Sequence, residues 1–319
     1  MYKIKQLPED FIVKEINNIT VKDKGRYSYW LLKKKNHNTI SAIHIIANAI
    51  GKPLNTIGYA GNKDKNAVTE QIISIKNVNK KRVESTQLRN ISLKFLGVGD
   101  EPVVIGMLEG NYFEIVVRNI ESKPFIKKEF INLFGEQRFS KKNVDIGKAI
   151  VHGCFDKAAK LIAETDREYG AKKFYNANKN NPIAMIRLLP KSLIKLYVHA
   201  YQSKMWNDIA IEYIKNKKRK NCKIPIIGFG TNINNYNKDI RNIVLKIIKK
   251  ENISKENFII RQLPEISSEG GERDLFVKVN IEASRLEHDE INKGKKKIFL
   301  KFSLPKGSYA TEIIRQIFI

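Results

Sequence analysis

The sequence predicts an α+β fold in which a mixed sheet with flanking helices is interrupted by an inserted, largely helical region. Short segments with alternating apolar residues occupy both ends of the chain, whereas helical periodicity prevails between them. The chain has 319 residues, more than one hydrophobic core usually supports, so two domains are expected. The last strands would then return to the first sheet.

The first half of the chain supplies most of the predicted sheet. Residues 11–16 and 27–35 are rich in aromatic and β-branched residues and are predicted strands. A helix is predicted to begin after the cap residue Asn38 and to end at Gly51, because isoleucines recur between them at near-helical spacing. Further strands are predicted at residues 57–60, 71–76, 91–98 and 112–117.

Helices dominate the predicted middle region. They are expected at residues 125–134, 146–163, 193–214 and 240–249, with a possible break at Gly153, and the Gly/Asn-rich residues 228–237 are a predicted loop. Near the end, residues 275–279 and 297–304 alternate like a pair of antiparallel strands. Ser308 is predicted to cap a last helix through residue 317.

Composition points to a polyanionic partner. The chain carries 59 Lys and Arg against 33 Asp and Glu, a net charge of +26. Heat-adapted proteins gain glutamate together with lysine, so adaptation does not explain this excess of cations. Neutralisation of nucleic-acid phosphates does explain it. The cations are scattered rather than gathered beside an amphipathic anchor, which favours nucleic acid over a membrane as the partner. A basic surface that is simply solvated remains the alternative interpretation.

Several function classes are disfavoured. No apolar run has the length of a membrane span or a signal peptide, so we expect a cytoplasmic protein without membrane association. Cys154 and Cys222 are too few for a disulfide framework and are not spaced as a metal site. The phosphate-loop, dinucleotide and zinc-protease motifs are missing, and the five histidines form no ligand-spaced set. Metal, ATP and nicotinamide chemistry are therefore not expected.

One carboxylate lies in an unusual setting. Asp64 stands between Lys63 and Lys65 and follows Gly61. A neighbouring cation keeps an aspartate ionised, as a nucleophile or a general base requires. The alternative is that Asp64 caps a turn while the lysines are solvated, and the local pattern alone favours that alternative.

Five segments resemble one family. Residues 61–71, Gly-Asn-Lys-Asp-Lys-Asn-Ala-Val-Thr-Glu-Gln, resemble the signature of the TruD family of tRNA pseudouridine synthases. In the family's order, residues 5–11 (Lys-Gln-Leu-Pro-Glu-Asp-Phe), 132–139 (Asn-Leu-Phe-Gly-Glu-Gln-Arg-Phe) and 304–311 (Leu-Pro-Lys-Gly-Ser-Tyr-Ala-Thr) also match. Residues 200–207 resemble a family helix. The resemblance thus spans both ends of the chain.

The resemblance implies fold, reaction and partners. It implies a pseudouridine-synthase-like, mixed and mainly antiparallel sheet in a catalytic domain of residues 1–158 and 277–319, with an inserted TRUD domain at 159–276. It implies isomerisation of a specific uridine in tRNA, by default at position 13, after the base is flipped. Neither a cofactor nor a metal is implied, and a monomer is expected.

The resemblance also assigns roles to residues. Asp64 is the implied catalytic carboxylate, and Lys5 is its implied basic partner, although Lys5 could also be an ordinary exposed lysine. The implied substrate-binding residues comprise three aromatic residues, one amide that matches the edge of uracil and weaker cationic candidates. They are Phe11, Phe134 and Tyr309, then Asn132, then Arg138, Arg273 and Lys306.

Other interpretations remain at this point. The lysine-rich residues 215–220 could follow an RNA backbone or form a solvated loop. A non-catalytic RNA-binding or chaperone protein would explain the charge but not the acidic motif. A methyltransferase would require a glycine-rich cofactor loop, which the sequence lacks.

Overall fold

The computed structural model describes residues 1–139, 142–165, 170–177, 181–216 and 221–318. The chain divides into two compact units. The first contains Met1–Lys128, Lys278–Ala310 and the residues from Ile314 on, and the second contains Glu129–Val277 and Thr311–Ile313. Residues 129–158 are therefore packed with the second unit, whereas the sequence assigned them to the catalytic domain. The two units are defined by compactness, whereas the predicted domains were defined by family resemblance. The predicted domain boundaries therefore stay a prediction.

The strands are β1 (Phe11–Ile16), β2 (Tyr27–Lys35), β3 (Ile57–Tyr59), β4 (Val68–Lys76), β5 (Ile91–Gly99), β6 (Gly110–Ile120), β7 (Glu129–Ile131), β8 (Lys223–Ile226), β9 (Gly271–Asp274), β10 (Phe276–Lys278), β11 (Glu282–Ala283), β12 (Glu287–His288) and β13 (Lys296–Pro305). The helices are α1 (Thr39–Ile50), α2 (Lys80–Glu84), α3 (Asn143–Val151), α4 (Phe155–Thr165), α5 (Ala171–Ala177), α6 (Pro182–Arg187), α7 (Lys191–Lys215), α8 (Lys238–Glu251) and α9 (Ala310–Phe318).

The first unit is built on one sheet. Its described strands follow the order β11-β13-β6-β1-β4-β2-β5, with β12 beside β13 and β3 beside β4. In the described part of this sheet, β1 and β4 form the one parallel pair, and the other pairs are antiparallel. The C-terminal strand β13 therefore returns to the sheet begun by β1, and the predicted mixed, mainly antiparallel α+β architecture is confirmed.

Helix α1 covers one face of this sheet. Its apolar residues pack against Trp30 and Leu32 of β2 and against Ile73 and Ile75 of β4. The Asn38 side chain accepts a hydrogen bond from the Ser41 N–H at 2.7 Å, as a cap should. The helix ends where Gly51 adopts φ 59°, a left-handed conformation that favours glycine. Both predicted ends of this helix are confirmed.

The second unit is mainly helical, with the small sheets β7/β10 and β8/β9. The long helix α7 is its centre and buries Tyr201 and Trp206 completely. Helix α3 approaches α7 so closely that a Cβ at Gly147 would lie 1.9 Å from the Tyr197 carbonyl oxygen. Glycine is therefore required at this helix contact.

Two predictions about this part of the chain are wrong. Residues 125–134 do not form a helix: Phe125 is 82% exposed, and residues 129–131 form β7 beside β10. Their backbone bonds to a distant segment, since the Asn132 N–H donates to the Leu275 carbonyl at 2.8 Å. Consequently β10 pairs with β7 and not with β13, whose partners are β6, β11 and β12. Alternation identifies a strand but not its neighbour.

The remaining predicted elements have mixed outcomes. The predicted helix at 146–163 is two helices, α3 and α4, separated where Gly153 adopts φ 70°. The predicted loop at 228–237 contains one short 3₁₀ turn. Residues 217–220 of the lysine-rich segment lie outside the described residues, and the Ser308 cap stays a prediction. Among the described helices, none is long and apolar enough to cross a bilayer.

Candidate active site

Asp64 lies in the loop that joins β3 to β4. Its Oδ2 is 2.6 Å from the Lys5 ammonium, and the two side chains are 27% and 21% exposed. The Lys5 ammonium also lies 4.1 Å from the centre of the buried Phe11 ring, a cation–π distance. The sequence-predicted residues Asp64, Lys5 and Phe11 are thus brought together, and the carboxylate is partly exposed.

The backbone at Lys5 is unusual. Lys5 adopts φ 58°, a left-handed conformation that costs a residue with a side chain about 1 kcal/mol. The neighbouring backbone is anchored by hydrogen bonds in both directions between Lys3 and Arg118, at 2.9 and 2.8 Å. The surrounding structure therefore holds Lys5 in a strained conformation that directs its ammonium to Asp64.

A buried carboxylate anchors the same N-terminal segment. Asp10 accepts hydrogen bonds from Arg118, including one at 2.8 Å from Nη2, and another from the Leu7 N–H at 3.0 Å. The Asp10 contact raises the pKa of Arg118. Arg118 also bonds Asp289 at 3.1 Å. Burial alone would raise the pKa of Asp289, but hydrogen bonds from the Asn119 N–H and the Asn292 side chain hold it well below its ordinary value.

Buried polar side chains support the Asp64 loop. Gln71 Nε2 donates to the Gly61 carbonyl at 3.1 Å, and Gln71 Oε1 accepts from the Thr39 hydroxyl at 2.9 Å. The same hydroxyl accepts from the Lys63 N–H at 2.8 Å. The start of α1 and the strand β4 therefore fix the loop on the side that precedes Asp64.

The lysine that precedes Asp64 is not its ionic partner. The Lys63 ammonium lies 2.6 Å from Glu15 Oε2, and the two side chains are only 6% and 0% exposed. The expectation that flanking lysines keep Asp64 ionised is therefore corrected for Lys63, because its charge is neutralised elsewhere. The cation that contacts Asp64 is Lys5, as the resemblance implied.

Sequence reasoning missed one lysine beneath this loop. Lys34 of β2 is 1% exposed, and its ammonium donates to the Asp64 carbonyl at 3.0 Å and to the His37 carbonyl at 2.6 Å. It follows Trp30 and Leu32 on the buried face of the strand at the two-residue period. This two-residue period could have predicted that Lys34 is buried. The three consecutive lysines at 33–35 suggested an exposed segment instead.

The second unit gathers another set of predicted residues. Arg273 donates to Asn132 twice, to the carbonyl and to Oδ1, both at 2.7 Å. Its guanidinium carbon lies 4.2 Å from the centre of the Phe134 ring. Asn132 Nδ2 donates to the Asp274 carbonyl at 3.3 Å, which orients the amide. Asn132, Phe134 and Arg273 are therefore neighbours.

Phe134 is held from several sides. Its N–H donates to Asn207 Oδ1 at 2.9 Å, and its carbonyl accepts from Asn207 Nδ2 at 3.1 Å. Trp206 packs edge-on at 5.6 Å between ring centres, and the Arg138 guanidinium lies 5.2 Å from the Phe134 ring. These contacts join segment 132–139 to segment 200–207. The family resemblance had identified the two segments separately.

Two further predicted residues lie between β13 and α9. Tyr309 is half-buried immediately before α9. The exposed Lys306 donates from its ammonium to the Gly106 carbonyl at 3.3 Å and from its N–H to the Glu109 carbonyl at 2.9 Å.

In the described part of the chain, no group of three or more His, Cys, Asp or Glu side chains could hold a metal ion.

The fold defines the class as a pseudouridine synthase. The chain is similar to a solved structure of the protein assigned as tRNA pseudouridine synthase D (TruD) from Methanosarcina mazei, with a TM-score of 0.75 and 29% sequence identity. The match covers 98% of this chain and 92% of that one. The predicted pseudouridine-synthase-like fold is confirmed.

The family follows from sequence. The family model described as tRNA pseudouridine synthase D (TruD) matches residues 2–181 and 210–317. The tRNA pseudouridine synthase D of Aquifex aeolicus is 31% identical, over 99% of this chain and 98% of its own length. A protein of Methanosarcina acetivorans assigned the same name is 30% identical, over 98% and 92%. The chain belongs to the TruD family, which confirms the predicted enzyme class, an isomerase that converts uridine in tRNA to pseudouridine.

Proposed function

We propose that this chain converts one specific uridine of tRNA, at position 13, to pseudouridine with Asp64 as the catalytic carboxylate. The observation that carries the proposal is the ion pair between Asp64 Oδ2 and the Lys5 ammonium at 2.6 Å. An opposite charge at this distance favours the ionised carboxylate. Both side chains are partly exposed, so the carboxylate is accessible from the protein surface.

The reaction needs no external reagent. The bond between ribose C1′ and uracil N1 breaks, the detached base turns, and C5 bonds to C1′ while a proton leaves C5 and N1 gains one. Asp64 would either attack a carbon or remove a ribose proton, and both roles require the ionised form. Lys5 would keep the carboxylate charged and oriented throughout.

The target base must leave the RNA stack before Asp64 can act on it. Tyr309 is proposed to contact the extruded nucleotide, as a stacking surface. The Phe11 ring lies beneath the Lys5 ammonium and edge-on to Phe113 at 6.1 Å, so we assign Phe11 the additional role of supporting Lys5. Cation–π support of this kind limits where the ammonium can move.

The residues gathered in the second unit are proposed to bind the RNA substrate. Asn132 offers an amide donor and acceptor of the kind that matches uracil's edge, and Arg273 orients that amide. Phe134, which is buried against Trp206 and Arg273, is proposed to line the base-binding site, while Arg138 and Arg273 supply positive charge for phosphates. We further infer a monomer that acts in the cytoplasm.

Substitution Asp64→Asn tests the catalytic assignment. The variant and the unchanged protein are incubated with unmodified tRNA transcripts, and pseudouridine is mapped by carbodiimide-dependent primer-extension stops. We expect no stop at position 13 with the variant, because an amide can neither attack nor accept the proton. The matched control is Asp100→Asn, which removes a carboxylate in an exposed pair with Lys22 and should leave the stop unchanged.

The same experiment separates the enzyme from a non-catalytic RNA-binding protein. If Asp64→Asn still produces the stop, Asp64 is not the catalytic carboxylate. If the unchanged protein binds tRNA but leaves its uridines unmodified, the binding protein is the better description. A stop at another position would retain Asp64 and correct the target.

A further inference from the structure

A second lysine contacts the Asp64 loop from inside the protein. The Lys34 ammonium donates to three backbone carbonyl oxygens: that of His37 at 2.6 Å, that of Asp64 at 3.0 Å and, at the limit of a hydrogen bond, that of Lys63 at 3.5 Å. Three N–H groups thus match three acceptors. Unlike Lys5, which contacts the carboxylate, Lys34 contacts the main chain of the same residue.

An apolar side chain would be expected where Lys34 lies. Trp30 and Leu32, which precede it on the same face of β2, are fully buried against α1. A buried ammonium loses its hydration, and this cost is recovered only through well-placed partners. The partners here are carbonyls of the loop that carries Asp64 and of the turn before α1. The lysine therefore ties the active loop to the sheet.

The charges around Lys34 are few and mostly paired. Burial lowers the pKa of Lys34 to about 8, while the Asp64 charge opposes this shift and the Lys63 charge adds to it. Asp64 is itself paired with Lys5, and Lys63 is paired with Glu15. His37 contacts the Lys34 ammonium through its backbone carbonyl.

We propose that Lys34 is a positioning residue that fixes the backbone of Asp64, so that the carboxylate stays aimed at the ribose of the bound uridine. The proposal rests on the proposed role of Asp64 as the catalytic carboxylate. When charged, Lys34 supplies all three N–H donors; once deprotonated it supplies two and leaves one carbonyl without its partner. The turnover rate should therefore fall with the loss of this proton, while Asp64 remains ionised.

Two substitutions and one control test the role. Lys34→Met removes the donors and the charge at similar length. Lys34→Arg keeps a permanent charge and several donors. Lys33→Met is the matched control, because the neighbouring Lys33 is exposed and paired with Glu70 at 3.2 Å. Turnover at saturating tRNA, KM and tRNA affinity are measured for each variant, and turnover is followed from about pH 6 to about pH 9.5, across the titration of a lowered lysine.

For Lys34→Met we expect kcat to fall by about 100-fold, the scale of a small misplacement of a catalytic group, with KM and tRNA affinity changed less than about twofold. The unchanged protein should lose activity on the alkaline side with a midpoint near 8, and Lys34→Arg should lack that decline. Lys33→Met should match the unchanged protein in every measurement.

Three outcomes would overturn the proposal. These are a kcat of Lys34→Met close to that of the unchanged protein, a loss of tRNA affinity as large as the loss of rate, or an alkaline decline that persists in Lys34→Arg. If circular dichroism shows that Lys34→Met does not fold, the pH profile of Lys34→Arg decides. Activity of Asp64→Asn would instead refute the proposed catalytic role of Asp64, so the two failures are distinguishable.

Discussion

Lys5 has a strained backbone, and its ammonium is contacted by two side chains. Its φ of 58° is held by the backbone pairing of Lys3, two residues earlier, with Arg118, while Phe11 lies beneath the ammonium and Asp64 accepts its hydrogen bond. Strain of this kind persists only where the surroundings maintain it, and it concentrates at functional positions. The conformation of a single residue thus supports the proposed chemistry independently of motif resemblance.

Substitution Lys5→Met should therefore reduce turnover much more than binding. We expect kcat at saturating tRNA to fall by about 100-fold, because the carboxylate loses its orienting partner, while tRNA affinity changes little for one lost cation. Single-turnover kinetics and filter binding measure the two effects. Lys3→Met is the control, since that exposed ammonium donates to Asn292 Oδ1 at 2.9 Å, away from Asp64. Unchanged turnover in Lys5→Met would remove Lys5 from the mechanism.

At the scale of elements, the Lys63–Glu15 pair links the Asp64 loop to β1. Both side chains are buried, so Glu15→Gln would leave the Lys63 ammonium without a countercharge. Loss of one partner of a buried pair costs about 3 kcal/mol or more. We expect urea denaturation of Glu15→Gln to show that loss in the free energy of unfolding.

The half-exposed pair between Lys14 and Glu114, at 2.7 Å, provides the control for that experiment. Glu114→Gln should cost less than about 1 kcal/mol, because water solvates whichever charge remains. Equal losses in Glu15→Gln and Glu114→Gln would contradict the view that the buried pair anchors the loop.

Sequence patterns predicted correctly those helices and strands whose ends are set by neighbouring residues. Helix α1 has a side-chain cap at Asn38 and a left-handed end at Gly51, so its bounds were predictable from sequence. Strand β7 was missed because its backbone partners lie far along the chain, as the bond from Asn132 to Leu275 shows. Periodicity carries no information about such distant partners.

The candidate site was predictable for a different reason. Composition and residue spacing did not distinguish Asp64 from the other carboxylates. Only the resemblance to the family motif identified Asp64 as catalytic and Lys5 as its partner. The role of Lys34 was not predicted, because three consecutive lysines suggest solvation while strand alternation turns the middle one inward. The Lys63–Glu15 contact was equally hidden, since β1 and the Asp64 loop are separated in sequence.

At the scale of the whole molecule, the excess of positive charge should govern binding rather than chemistry. With a net charge of +26, tRNA affinity should fall steeply with salt, by about 1000-fold between about 50 and about 200 mM, as phosphate contacts compete with cations. Turnover at saturating tRNA should change little. Filter binding across a salt series measures the slope, and Asp64→Asn should give the same slope. A flat dependence would exclude the phosphate contacts inferred from composition.

The return of β13 to the sheet has a consequence for biosynthesis. Strand β6 leaves the ribosome long before β13, which pairs with it along nearly its whole length. At translation rates of about 5–20 residues per second, β6 therefore spends seconds or longer as an open edge, the kind of edge that recruits foreign strands. The nascent chain has to keep that edge covered during the interval, because the sheet whose β3–β4 loop carries Asp64 is complete only once β13 has been made.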